Sequence, residues 1–130
     1  MVPKLFISIA AIFLVIKSEA ANYYFSSSSG NDAYTTAQAQ NKATPWASIT
    51  KLNTYFTNIK PGDSILFKRG DTFYGTISIT KPGTAALPII FAAYGTGAQP
   101  IISGFVPVTG WTSLGGNIYQ GNCPAAGATV

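Results

Sequence analysis

Ser64-Ile65-Leu66-Phe67, Thr76-Ile77-Ser78-Ile79, Pro88-Ile89-Ile90-Phe91 and Pro100-Ile101-Ile102-Ser103 are four short apolar runs whose isoleucines at 65, 77, 89 and 101 recur every twelve residues. The first run matches the third and the second matches the fourth, so the larger repeat is twenty-four residues. Lys60-Pro61-Gly62 returns as Lys81-Pro82-Gly83, with three extra residues before its strand, an insertion that a repeat array tolerates in a loop. Gly, Pro and Thr stand between the runs, where they punctuate strands and leave no room for a further helix. A period in the twenties with short strands in each unit fits a coiled stack of parallel strands, Ile over Ile inside and Gly or Pro at the corners. A β-sandwich has similar strand spacing, but its hairpins call for Asn-Gly or Asp-Gly turns, which are lacking here. Parallel pairing is therefore expected.

Working toward the N-terminus, Tyr23-Tyr24-Phe25 is a β-prone run closed by Ser26 to Ser29 and the turn residues Gly30-Asn31-Asp32, which predicts an edge strand. Thr44 followed by Pro45 supplies an N-cap and a first helical residue whose missing N–H costs nothing. Trp46, Ile49, Leu52, Phe56 and Ile59 then recur at steps of three or four, which predicts one amphipathic helix over about 45–58, stopped by Lys60-Pro61-Gly62.

With 130 residues the chain makes one domain. Its 47% hydrophobic and 9% charged composition excludes disorder, and one Cys with no His excludes a zinc or iron–sulfur site and an internal disulfide. Met1-Val2-Pro3-Lys4, the apolar run Leu5 to Ile16, and small residues at Ser18 and Ala20 read as a signal peptide over 1–20, and hence as a secreted protein with no membrane association after cleavage. Beyond the cut, Lys42, Lys51, Lys60, Lys68, Arg69 and Lys81 stand against Asp32, Asp63 and Asp71. These cations are scattered along the chain, which argues against nucleic acid as a partner.

The runs Tyr23-Tyr24-Phe25-Ser26 with Gly30-Asn31-Asp32, Pro45-Trp46, Pro61-Gly62-Asp63-Ser64-Ile65-Leu66-Phe67-Lys68-Arg69-Gly70-Asp71-Thr72-Phe73 and Ala93-Tyr94-Gly95-Thr96-Gly97 resemble the opening of secreted bacterial right-handed parallel β-helix proteins of the pectate-lyase-like group. The resemblance extends through Trp111 and Ile118-Tyr119. It implies an all-β fold, the first rungs of a right-handed parallel β-helix, with an N-terminal capping strand and one short capping α-helix. Residues 21–130 would then be the cap and first rungs of a domain that continues past residue 130, since repeat stacks need about three or more units. The function implied is the N-terminal portion of a carbohydrate-active enzyme, a polysaccharide lyase or glycoside hydrolase, with its catalytic residues elsewhere and a polysaccharide as partner. The alternative is a non-catalytic surface or adhesion protein that binds glycans.

Lyases resembling this group use a Lys or Arg base beside calcium, so calcium is expected only in a full-length lyase, and no cofactor in this segment. Asp32, Asp63 and Asp71 each follow a turn, where Asp ordinarily satisfies backbone N–H groups; no catalytic residue and no metal site is assigned among them. Candidate substrate contacts are Lys68 and Arg69, adjacent cations that could meet an acidic sugar, and Trp111, with Tyr74, Tyr94 and Tyr119 as further aromatics able to stack on sugar rings. Cys123, without an imidazole base, is incidental.

Overall fold

The computed structural model describes residues 19–105 and 107–122, so the predicted signal peptide, apart from Glu19 and Ala20, and Cys123 lie outside the described residues. The described chain is mostly β, with few helices and no closed barrel. Strands β1 (Asn22–Phe25), β2 (Ser64–Lys68) and β4 (Ile90–Tyr94) form one sheet in that order, all parallel. Strands β3 (Thr72–Tyr74) and β5 (Ile101–Ser103) form a second parallel pair. Helices α1 (Thr36–Ala39) and α2 (Ile49–Tyr55) lie between β1 and β2, and α2 runs into a tight 3-10 turn at Phe56–Asn58.

The core explains why these elements form where they do. Alternation along β2 buries Ile65 and Phe67 on one face, as a period-two pattern requires. Ile49 and Leu52 from one face of α2, and Phe56 from the 3-10 turn that continues it, are all at most 2% exposed. Fully burying each such side chain contributes roughly 1.5–3 kcal/mol. Aromatic rings link the helix to the strands: Tyr55 meets Tyr23 and Trp46, Phe25 meets Trp46 and Phe67, and Phe67 meets Phe73, with centroids 4.8–5.6 Å apart. The Tyr23 and Trp46 planes lie within 2° of parallel at 5.8 Å. At Lys60-Pro61-Gly62-Asp63 the Asp63 N–H donates to the Lys60 carbonyl and Gly62 has φ +93°, a turn with Pro and Gly where each is needed.

Three expectations are corrected. First, the helix does not begin at Thr44-Pro45. Trp46 is held extended beside β1, its N–H donating to the Tyr24 carbonyl and its own carbonyl accepting from Ser26, so the helix starts only at Ile49 with Ser48 as its N-cap. The structure also has a second, one-turn helix, α1, closed by a capping box between Thr35 and Gln38.

Second, isoleucine does not stack on isoleucine. Ile65 sits between Tyr23 and Phe91, two residues beyond Ile89, and Ile101 pairs with Thr72. The shift arises at the corner, where Thr84 and Leu87 bond each other's backbone and take up the extra chain. Ile77 belongs to no strand, because the Asn53 side chain takes the place of one: its amide donates to the Thr76 carbonyl and its oxygen accepts from the Ser78 N–H.

Third, pairing is not parallel throughout. Strands β6 (Thr109–Gly115) and β7 (Ile118–Asn122) form an antiparallel hairpin. Its two-residue loop is Gly116-Asn117, with φ +60° and +62°, the positive pair that a type I′ turn needs.

Burial falls off from β2 to β4. Ile65 is 0% exposed, whereas its neighbour Phe91 is 38% exposed; Ile102 on β5 is likewise 45% exposed beside the buried Phe73. One end of the stack is thus closed by Trp46 and α2, and the other presents apolar side chains.

Candidate functional site

The three aspartates spend their oxygens on the chain itself. Asp32 accepts from the Ala47 and Ser48 N–H groups at 2.7 and 3.1 Å and from the Ser48 hydroxyl at 2.5 Å. Asp63, buried, accepts from Ala21 N–H and Lys60 N–H, each at 2.8 Å. Asp71, also buried, accepts from the Ser26 and Ser28 hydroxyls at 2.7 and 2.8 Å and from the Ser28 N–H at 3.3 Å. Burial works to raise the Asp71 pKa, but the bonds from Ser26 and Ser28 and the charge of Lys68 outweigh it and hold the carboxyl below its ordinary value. Asp32 therefore ties its turn to the N-cap of α2, while Asp63 and Asp71, just ahead of β2 and β3, tie those strand starts to the chain before and after β1.

Lys68 and Arg69 are tied to two different loops. The Lys68 ammonium donates to the Ser28 and Ser29 hydroxyls at 3.4 and 3.3 Å, reinforcing the turn that Asp71 holds. Arg69 donates from its guanidinium to the Gly97 carbonyl at 3.4 Å and from its backbone to the Tyr94 carbonyl at 2.9 Å. Both side chains remain partly accessible, and both have positioning work in the fold.

Trp111 lies on β6, away in sequence from these cations, and is 62% exposed. Its ring passes over Gly121 of the facing strand so closely that a Cβ there would come within 3.0 Å of the ring and 2.7 Å of the Val108 side chain. Gly121 thus provides a flat seat, leaving much of the indole open to solvent. Tyr74 and Tyr119 are exposed as well. Tyr94 is not: it packs edge-on against Tyr24 with centroids 5.0 Å apart, and among the described residues nothing hydrogen-bonds its buried hydroxyl. Burial, then the charge of Asp71 and the nearby Tyr24, push its pKa up to about 12. Sequence reasoning missed the seat for Trp111, whose signal was Gly121 facing an aromatic across the Gly116-Asn117 turn.

Among the described residues no three His, Cys, Asp or Glu side chains come together as a metal site. No helix among them is long and apolar enough to cross a membrane.

No protein-family model matches the chain. A lacto-N-biosidase of Bifidobacterium longum subsp. longum is 37% identical over 91 residues, which takes in 66% of this chain and 5% of that protein. Two crystal structures of a GH136 lacto-N-biosidase from Eubacterium ramulus, native and selenomethionine, resemble the chain with a TM-score of 0.53 and 33% identity, over 62% of this chain and 12% of theirs. The homologues are carbohydrate-active enzymes, and the chain spans a small part of their length.

Proposed function

We propose that this chain is the cap and first rungs of a secreted glycoside hydrolase related to the lacto-N-biosidases, coiled as a right-handed parallel β-helix. The observation that carries the reading is the 37% identity with a lacto-N-biosidase. Two parallel strand sets, β1-β2-β4 and β3-β5, visited alternately from β2 onward, support the coil. In this reading Trp46 and α2 seal one end of the apolar interior, and further chain stacks on Phe91 and Ile102.

Glycoside hydrolysis requires two carboxyl groups flanking the scissile bond, roughly 5–10 Å apart. Asp32, Asp63 and Asp71 each hold backbone groups in the fold, so the catalytic pair comes from other residues of the enzyme. Elimination by a lyase has no support from the relatives, and Lys68 and Arg69 are engaged in holding loops. The role of this segment is to close the coil and set the register on which later rungs build, while Trp111 offers a stacking surface to a sugar ring.

The test is to incubate the protein that carries this segment with an aryl lacto-N-bioside and, separately, with a uronate polysaccharide. Release of the aryl alcohol is expected. An unsaturated uronate product, or glycan binding with no turnover of either, would overturn the hydrolase reading in favour of a lyase or a binding rod.

A further inference from the structure

We propose that cleavage between Ala20 and Ala21 converts the anchor of the first strand into an ion pair, the new α-ammonium of Ala21 against the buried carboxylate of Asp63. This rests on the leader reading of residues 1–20 and is independent of which glycan the enzyme takes.

The geometry points to that bond. Ser18 and Ala20 are the small residues of the predicted cut, which makes Ala21 nitrogen the atom set free. That nitrogen already donates to Asp63 Oδ1 at 2.8 Å. Asp63 is 2% exposed, and its other oxygen takes the Lys60 N–H at 2.8 Å. Both partners are neutral peptide groups. An ammonium in the same place adds direct Coulomb attraction to the hydrogen bond, and because its side of the contact is only part-buried it is spared the full desolvation cost of a buried ion.

The amine is also held in place. The Ala21 carbonyl accepts from the Ser64 N–H at 2.8 Å, and the next residue, Asn22, is the register partner of Ser64. Ala21 thus has both of its backbone groups fixed on Asp63-Ser64, and the amine leaves Asp63 only if β1 lifts from β2. The surrounding cleft is polar and open, lined by Glu19, Tyr23, Gln40 and Lys60, which gives the two further ammonium hydrogens access to water. Glu19 departs with the leader. Tyr23 stays neutral, since burial and its bond to Tyr55 raise its pKa. Lys60 is the remaining cation, and its backbone already serves Asp63.

The chemistry is hydrolysis by an export endopeptidase with water as co-reactant. The C–N bond breaks as the water oxygen bonds to the Ala20 carbonyl carbon, which leaves as a carboxylate, while Ala21 nitrogen takes both protons of that water and becomes an ammonium. Cleavage takes place on the unfolded, exported chain, and folding then seats the amine on Asp63. A cut one residue away would displace the charge by about 3.3 Å along the strand, out of contact.

The test uses the full chain exported from a bacterial host. Mass spectrometry identifies the new N-terminus, and urea unfolding compares the processed chain with the same chain acetylated at its α-amine while unfolded and then refolded. Acetylation keeps an N–H donor and removes the charge. A mature chain beginning at Ala21 is expected, with acetylation raising the unfolding constant about ten-fold or more and having little effect in Asp63→Asn. Should Asp63→Asn fail to fold, titration of the α-amine decides, with a value well above the ordinary range of about 7.7–8.0 expected. A different N-terminus, an ordinary amine titration, or acetylation without effect would overturn the proposal.

Discussion

The carboxylate of Asp32 sits against the hydroxyl of Ser48, 2.5 Å from oxygen to oxygen, while that hydroxyl also accepts the Lys51 N–H at 3.0 Å. A turn residue far ahead in the chain thereby aims the N-cap of α2. Because Asp32 also accepts from Ala47 and Ser48 N–H, it fixes the path of the chain between Trp46 and the helix. Asp32→Ala should lower stability by about 2 kcal/mol or more in urea denaturation, and Asp32→Asn, which keeps one acceptor oxygen, should lose less.

Asp71 makes stability depend on acid. Its folded pKa lies below the ordinary value of 3.8, so the stability it contributes is present above that value and lost as pH falls through the lower, folded one. The unfolding midpoint, followed from neutral pH to below 3.8, should fall most steeply at the acid end. Asp71→Asn should flatten that part of the profile, since no proton is then taken up at this position.

Tyr94 acts at the opposite end of the scale. Its pKa is pushed up from 10.0 to about 12, so the unfolded chain loses this proton first and stability falls as pH rises across that window. Tyr94→Phe should reduce that alkaline loss, leaving the part that Tyr23, whose pKa is also raised, contributes. At neutral pH the same change removes a buried hydroxyl that nothing among the described residues bonds, and should leave stability equal or higher by about 1 kcal/mol. Ultraviolet difference titration of the phenols, with and without Tyr94, measures the first effect directly.

Gly121→Ala tests the seat beneath Trp111. The added carbon meets the Val108 side chain at 2.7 Å and the indole at 3.0 Å, so the ring must move, at a cost of about 1–3 kcal/mol to the hairpin. The difference in tryptophan fluorescence between Gly121→Ala and the parent chain should report a displaced Trp111, since Trp46 is buried at the far end. If the indole stacks on sugar, Trp111→Ala should weaken glycan binding; unchanged binding would make the ring a packing element only.

Much of this fold was legible residue by residue. The β-prone runs at Tyr23 and Ile65 became β1 and β2, parallel as expected, and the aspartates after turns bond backbone N–H groups as turn chemistry dictates. Register was not legible, because the length of a corner is set by bonds such as those between Thr84 and Leu87, and no period in isoleucines records it. The helix start was misread because Trp46 fits a helical face by spacing, yet its backbone is claimed by Tyr24 and Ser26 from a different part of the chain. Gly116-Asn117 was overlooked although Gly-Asn is itself a hairpin signal. Of the candidate contacts, Lys68 and Arg69 are bound into loops and Trp111 is open, a difference that depends on neighbours remote in sequence.

The grip of Trp46 on β1 bears on the order in which the chain assembles. Contacts between β1 and β2, such as Ala21 to Asp63, span 42 residues, and closing so long a loop in one step forfeits entropy before any strand bonds form. Trp46 divides that closure into two shorter ones: β1 first acquires a neighbour from the nearer chain, and α2, starting three residues later, carries the chain back toward the sheet. A chain that emerges N-terminus first can therefore build its closed end early and offer β2 a prepared edge. Changes that loosen Trp46 should slow folding more than they hasten unfolding, which makes this residue a pacemaker as well as a plug.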